Sequence, residues 1–183
     1  MLTLTTPPAG EPLSLPDAKA ALRVEHDADD ALIARMIATA RGLIERRLDL
    51  AILEQTWTLS LTDAPTAPVP LRPGKVREIT GAAVTYGGTT RALTDAEVRL
   101  RRSVPAQVVL SVPRSEGASA LSAITVEFRA GWEEGRVPPE LVHAVRLLTA
   151  HYYEERELFS RGRYVPVPHA LQTHIEAFRE VRL

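Results

Sequence analysis

The sequence predicts an α+β fold, in which a helical body carries an inserted small antiparallel β unit, because the hydrophobic period changes twice along the 183 residues. Near both ends, apolar residues recur every three or four positions, which is typical of helices that bury one face. Between about residues 55 and 130, apolar and polar residues alternate and turn residues are frequent, which is typical of short strands. Helices and strands are thus segregated, unlike the alternating βαβ order of a nucleotide-binding sheet. We expect a single domain over residues 1–183, with helices at about 14–50 and 138–160.

Two helices are predicted in the N-terminal part of the chain. Ser14 is placed to cap the first helix, with Pro16 and Asp17 in its first turn, and this helix should end near Val24. The acidic stretch EHDADD can cap the second helix. Apolar residues at helical spacing predict its buried stripe: Ile33, Met36, Ile37, Ala40, Ile44 and Leu48.

The β-rich unit should contain about five to seven short strands. The first is TWTLSL, and the proline-rich stretch TDAPTAPVPLRPG that follows predicts an extended loop or an edge strand. Gly87-Gly88 lies between two β-rich runs and predicts a hairpin turn. Three more strands are predicted in EVRLRR, QVVLSV and AITVEFRAGW, and the last should place Ile124, Val126 and Phe128 on one face.

Helical periodicity returns after Pro138 and Pro139, which suit a helix start. The core face of this long helix is predicted to consist of Leu141, Val145, Leu148, Tyr152 and Phe159. The break SRGRYVPVP then precedes a short terminal helix.

Composition and charge exclude several classes of protein. The absence of cysteine rules out disulfides, cysteine-ligated zinc, iron–sulfur clusters and thiol nucleophiles. A net charge of −1 argues against a general nucleic-acid binder, which needs excess cations to displace counterions from phosphates. No membrane span or secretory signal is visible, so we expect no membrane association and a cytosol-like setting.

The stretch HYYEERE, residues 151–157, places His151 and Glu155 four positions apart on a predicted helix. A metal site needs three or four converging ligands, and neither HExxH nor any phosphate-loop, dinucleotide or nucleophile-elbow motif is present. We therefore expect no metal, no cofactor and no catalysis, and a metal-dependent hydrolase using His151 and Glu155 is the alternative. Glu155 falls near the apolar sector, so we predict a buried-boundary position and pairing with an arginine of this chain or a neighbour. Glu154 and Arg156 are predicted to be free for solvent or intersubunit ion pairs.

A second alternative, a DNA-binding module, would use Arg99, Arg101 and Arg102. On a strand, Arg99 and Arg101 face one side, and Leu100 and Arg102 face the other. A solvated sheet face is the favoured interpretation of this pattern.

The order of these segments resembles that of head–tail connector (adaptor) proteins of long-tailed bacteriophages and gene transfer agents. The matching stretches are LSLPDAKAALRVEHDADDALI leading into QTWTLSL, then ITVEFRAGWEEGRVPPELVHAVRLLTAHYYEERE, and finally LQTHIEAFREVRL. The family pattern F-x-A-G-[YW], V-P and A-H-x-Y-E-x-R-E is matched by Phe128, Ala130, Gly131, Trp132, Val137, Pro138, Ala150, His151, Tyr153, Glu154, Arg156 and Glu157.

The resemblance implies a structural protein of the particle neck and not an enzyme. Such proteins form a ring of about a dozen copies below the portal protein and extend the DNA channel, which DNA crosses without sequence-specific binding. They offer a platform to a tail-side stopper or tail-completion protein and are assembled in the bacterial cytoplasm. Another ring, neck or tail-completion protein of the same particle is the alternative, although stoppers are mostly β.

The resemblance also implies that a C-terminal docking tail, residues 169–183, binds the portal. A short amphipathic segment behind a proline-rich loop often folds onto a partner. The candidate docking residues are Leu171, Ile175, Phe178, Arg179, Arg182 and Leu183.

Overall fold

The computed structural model of the chain describes residues 1–155 together with Ile175, Glu176 and Phe178. Helices in this part are Leu15–Leu22 (α1), Asp30–Leu48 (α2) and Pro139–Glu154 (α3). The strands are Leu2–Thr6 (β1), Gln55–Leu61 (β2), Val69–Pro70 (β3), Val76–Tyr86 (β4), Thr89–Ala92 (β5), Val98–Arg101 (β6), Gln107–Leu110 (β7), Ser115–Glu116 (β8) and Ser119–Ala130 (β9). The mixed α+β fold class is confirmed.

The described residues form two compact units. A helical unit consists of Gly10–Leu53 and the described residues from Trp132 onward, and a β unit consists of Met1–Ala9 and Glu54–Gly131. None of the helices in the described part of the chain is long and apolar enough to cross a membrane. The expectation of a single domain over the whole chain stays a prediction.

In the helical unit, local capping chemistry sets the ends of the first two helices. Ser14 caps α1 as predicted, because its Oγ accepts a hydrogen bond from the backbone N–H of Asp17 at 3.2 Å. Both α1 and α2 end on a residue in the left-handed conformation, Arg23 and Asp49, each with φ of 56°. The first helix therefore ends slightly before the predicted Val24.

The core of the helical unit is formed by the apolar stripes of its helices. All six predicted residues of the α2 stripe are buried, which confirms the periodicity argument. On α3 the buried residues are Leu141, Ala144, Val145, Leu148, Thr149 and Tyr152. Predicted core residue Phe159 lies outside the described residues. Each large side chain buried here contributes about 1.5–3 kcal/mol relative to exposure, so this face holds the unit together.

The β unit contains two antiparallel sheets. The larger has the strand order β1-β2-β9-β4-β5, with β8 also paired to β9, and the smaller has the order β3-β7-β6. Ile124, Val126 and Phe128 of β9 are fully buried, as predicted. Pro70 lies in β3, an edge strand of the smaller sheet, where its missing N–H removes no necessary hydrogen bond.

Gly87 and Gly88 form the two-residue turn between β4 and β5, which confirms the predicted hairpin. Both have positive φ, 54° and 89°, as the turns that match strand twist require. A Cβ added at Gly87 would lie 2.7 Å from Ser119 Oγ, so glycine is needed there for space as well as for conformation.

Strand β1 was not anticipated from the sequence. Leu2–Thr6 pairs antiparallel with β2, which lies more than fifty residues further along the chain. Its alternation of leucine and threonine is too short to stand out before Pro7 and Pro8.

Candidate functional site

The outer edge of β1 is a surface with backbone N–H and C=O groups that pair with no strand among the described residues. Met1 and Ser60 exchange both backbone hydrogen bonds, each at 2.8 Å. In an antiparallel ladder such pairs alternate with non-bonded pairs, so Leu2 and Leu4, opposite Leu59 and Trp57, direct their N–H and C=O groups away from β2. Their side chains are 37% and 40% exposed. Among the described residues, no strand pairs with this edge.

The HYYEERE stretch lies at the C-terminal end of α3. Tyr152 is buried in the core of the helical unit, as predicted. His151 is half-buried, its ring centroid lies 6.3 Å from that of Tyr152, and its Nε2 has no hydrogen-bond partner among the described residues. The Tyr153 hydroxyl donates to Asp29 Oδ2 at 2.7 Å, which ties the end of α3 to the start of α2. Tyr152 and Tyr153 therefore hold the end of α3 against the rest of the helical unit.

The predicted buried-boundary position of Glu155 is wrong. α3 ends at Glu154, and Glu155 is its C-cap, whose N–H still donates to the carbonyl of His151 at 3.0 Å. The side chains of Glu154 and Glu155 are both exposed, and neither carboxylate forms an ion pair with another described residue. Arg156 lies outside the described residues. Pairing of Glu154, Glu155 or Arg156 with a neighbouring chain stays a prediction.

The geometry gives the metal-dependent alternative no support. No group of three or more histidine, aspartate or glutamate residues within the described part of the chain could hold a metal ion. His151 and Glu155 lie one helical turn apart, since the N–H of Glu155 donates to the carbonyl of His151 at 3.0 Å, but they supply only two of the three or four ligands that a metal site needs.

The predicted docking tail is described at two of its candidate residues. Ile175 is 1% exposed and belongs to the core cluster of the helical unit, and half-buried Phe178 packs against the same cluster. The backbone N–H of Phe178 donates to the carbonyl of Ile175 at 3.0 Å. Leu171, Arg179, Arg182 and Leu183 lie outside the described residues, so the docking role itself stays a prediction.

The three arginines of the alternative DNA-binding hypothesis lie on and just after β6, an edge strand of the smaller sheet. Arg99 and Arg101 are exposed, opposite Val109 and Gln107 of β7. Arg102 donates from Nη2 to the carbonyl of Arg77 at 3.1 Å. A solvated sheet face accounts for Arg99 and Arg101.

An ion-pair network that was not predicted joins α2 to chain segments outside it. The Arg41 guanidinium bonds Glu11 through Nε at 2.7 Å and Nη2 at 3.1 Å, and bonds Glu45 through Nη1 at 2.7 Å. The second oxygen of Glu45 accepts from the N–H of Ile52 at 2.9 Å. The network therefore joins the segment before α1, the helix α2 and the segment after α2. Of these contacts, only the pair of Arg41 and Glu45, four residues apart on one helix, could have been predicted from the sequence.

A second unpredicted network lies in the β unit. Arg91 of β5 binds Glu97 with both terminal nitrogens, at 2.7 and 3.0 Å, and Glu116 at 3.3 Å. The Arg91 hydrogen bonds, helped by the backbone N–H and hydroxyl of Thr94, lower the pKa of Glu97 to about 2. The hydrogen bonds that Arg91 donates to Glu97 and Glu116 correspondingly raise the pKa of Arg91.

Comparison by sequence family gives one match. Residues 12–89 match a family model described as phage gp6-like head-tail connector protein, which confirms the resemblance seen in the sequence. No curated protein matches the chain by sequence.

Comparison with solved structures gives similar folds over the full chain. One is a chain from the neck of an empty gene-transfer-agent (GTA) particle computed with C6 symmetry, with a TM-score of 0.79 and 24% identity. Another is from the virion of a native GTA particle, with a TM-score of 0.78 and 24% identity. A third is from the neck of a native GTA particle computed with C12 symmetry, with a TM-score of 0.71 and 25% identity. Each comparison covers 100% of this chain and 97% of the other chain.

Proposed function

We propose that this chain, whose residues 12–89 carry the phage gp6-like head-tail connector family match, is a structural head–tail adaptor in the neck of a phage or GTA particle. The copies form a homo-oligomeric ring below the portal protein, extend the DNA channel and provide the platform for the tail. The family match is the observation that carries this proposal, because a connector role is what the family description states.

The agreement in fold supports the proposal. This chain matches the neck chains of GTA particles over 97% of their length, with TM-scores of 0.79 and 0.71. The C6 and C12 symmetries given for those necks favour a ring of about a dozen copies here as well. The helical flanks of the β unit, with a short terminal helix that includes Ile175 and Glu176, form the body of one adaptor domain in this proposal.

The ring meets three partners in this proposal. The C-terminal docking tail contacts the portal, and the loops of the β unit face the tail-side stopper or tail-completion protein. DNA passes through the ring without sequence-specific contacts, which suits a chain with a net charge of −1. The role is mechanical, and no catalytic residue takes part in it.

The test is reconstitution on portal-containing particles. The full-length chain is added to particles that lack their neck, and the products are imaged by cryo-electron microscopy. A ring of density below the portal is the expected result. A chain that associates with neither the portal nor the tail proteins would overturn the proposal.

A matched pair of variants separates docking from folding. Deleting residues 179–183 leaves Ile175 and Phe178 in place and should abolish portal docking, whereas Arg99→Ala/Arg101→Ala should not. Circular dichroism of both variants checks that neither change unfolds the chain.

A further inference from the structure

We propose that the outer edge of β1 is a subunit contact, on which an extended segment of a neighbouring copy of this chain adds a strand to the larger sheet. The inference rests on the proposed ring and names one surface that the ring would use. Its chemistry is that of β-strand addition, in which main-chain hydrogen bonds supply affinity and alternate side chains supply specificity.

The first support is that no strand among the described residues pairs with this edge and that its side chains do not protect it. Proteins usually protect an edge strand with charged side chains, prolines or bulges. Residues 1–6, MLTLTT, contain no charged side chain and no proline, and the bulge between Leu4 and Thr6 lies beyond Leu2 and Leu4. The outward N–H and C=O groups of Leu2 and Leu4 therefore offer up to about four hydrogen bonds.

The second support is that the exposed apolar side chains concentrate at this edge. Three of the five large apolar residues identified as exposed in the described part of the chain are Met1, Leu2 and Leu4. A partner strand that covers Leu2 and Leu4 would bury both side chains while it pairs with their backbones. The absence of charged side chains from residues 1–6 disfavours a partner held by several ion pairs, such as DNA.

The third support concerns the identity of the partner. A closed ring requires a heterologous interface, in which one surface of a copy meets a different surface of the next. Each copy carries other sheet edges that can supply the incoming strand, such as exposed β5 of the same sheet or β6 of the smaller sheet. In the proposed ring every β1 edge lies beside a neighbouring copy. Strand contacts that are weak individually therefore add up over all copies of the ring.

Substitutions at Leu4 test the contact without breaking β1 from β2. Leu4→Pro removes an outward N–H and leaves the inward bonds of the ladder in place, and Leu4→Lys adds a charge at the exposed side chain. Thr3→Ala is the matched control, because the backbone of Thr3 faces β2. Both Leu4 variants should weaken ring formation on portal particles at least tenfold, with Thr3→Ala unchanged. Emission of Trp57, which lies opposite Leu4, checks that β1 stays in place.

Site-specific crosslinking identifies the partner. The chain has no cysteine, so a photoreactive amino acid or a single cysteine can be placed at Leu4 without background. In assembled rings, the photoreactive group at Leu4 should crosslink to another copy of this chain, at a segment that mass spectrometry can assign. Leu4→Cys alone should give no disulfide-linked dimers, because a heterologous interface does not bring β1 against β1.

The outcomes distinguish this inference from the proposed function. Rings that form normally with Leu4→Pro and Leu4→Lys, or crosslinks to the portal or a tail protein, would overturn the β1 contact and leave the adaptor role intact. Disulfide-linked Leu4→Cys dimers would also overturn it, in favour of a two-fold contact. If the unmodified chain forms no ring on the particles, the adaptor proposal fails and the β1 contact fails with it.

Discussion

Replacing Arg41 by methionine tests whether its ion-pair network holds the helical unit together. The side chain of Arg41 is 16% exposed, and those of Glu11 and Glu45 are 28% and 14% exposed. Burial acts to lower the pKa of Arg41, but its interactions with Glu11 and Glu45 outweigh this effect and raise the pKa, so the guanidinium stays charged. Methionine keeps the apolar stem and removes the charge and its hydrogen bonds.

The loss of stability expected for Arg41→Met depends on whether the carboxylates of Glu45 and Glu11 can reach solvent once the arginine is gone. Glu45 still bonds the N–H of Ile52 and is largely buried, so losing its charged partner costs about 1.5–3 kcal/mol. Glu11 can turn toward solvent, so its pair with Arg41 contributes about 0.2–1 kcal/mol. Arg41→Met should therefore lower the free energy of unfolding of the helical unit by about 2–4 kcal/mol.

The chain provides its own probe for this measurement. It has two tryptophans, Trp57 in the β unit and Trp132 in the helical unit, so a Trp57→Phe background leaves fluorescence that reports on the helical unit. Urea unfolding of this background with and without Arg41→Met gives the difference. Arg46→Met on the same helix is the control, because Arg46 is exposed, and it should change stability by less than about 0.5 kcal/mol. Equal effects of the two substitutions would refute the reasoning.

Three further predictions concern the core, the acid response and the hairpin turn. Met36→Ala, at a fully buried position, should cost about 2–5 kcal/mol in urea unfolding, and Leu147→Ala, at an exposed position, far less. Because the pKa of Glu97 is lowered from 4.5 to about 2, its carboxylate stabilises the folded β unit fully above pH 4.5. That contribution is lost as the pH falls toward 2, so Glu97→Gln should destabilise the protein at pH 7 and flatten its acid titration, followed by circular dichroism; an unchanged titration would contradict this. Gly87→Ala should lower thermal stability by about 1–2 kcal/mol because φ is positive there, whereas Gly10→Ala, with open space around it, should not.

The parts of the fold that were predictable are those specified by local patterns. The α2 stripe follows from a 3.6-residue period over 19 residues, and the Gly87-Gly88 turn follows from the positive φ that only a few residues adopt readily. Strand β1 was missed because its stability comes from Thr58 and its neighbours, which are distant in sequence. The pair of Arg41 with Glu11 was missed for the same reason.

The candidate site was less predictable than the fold. A helical wheel gives the direction of a side chain but not what packs against it, and Glu155, the C-cap of α3, is exposed although the wheel places it near the apolar sector. The sheet edge at Leu2 and Leu4 carries no motif, since an open backbone edge is a property of the assembled sheet. Surfaces for assembly are therefore poorly visible in sequence compared with catalytic motifs, which require particular residue types.

The burial of Ile175 limits how the proposed docking of the C-terminal tail on the portal could work. Ile175 is part of the core of the helical unit, and exposing an isoleucine side chain costs about 1.5–3 kcal/mol. Docking that used this side chain directly would have to recover that cost from the portal. Docking through Arg179, Arg182 and Leu183, with Ile175 and half-buried Phe178 as the intramolecular anchor, carries no such cost. Ile175→Ala should therefore act first on the stability of the helical unit, and deletion of residues 179–183 should act first on portal affinity.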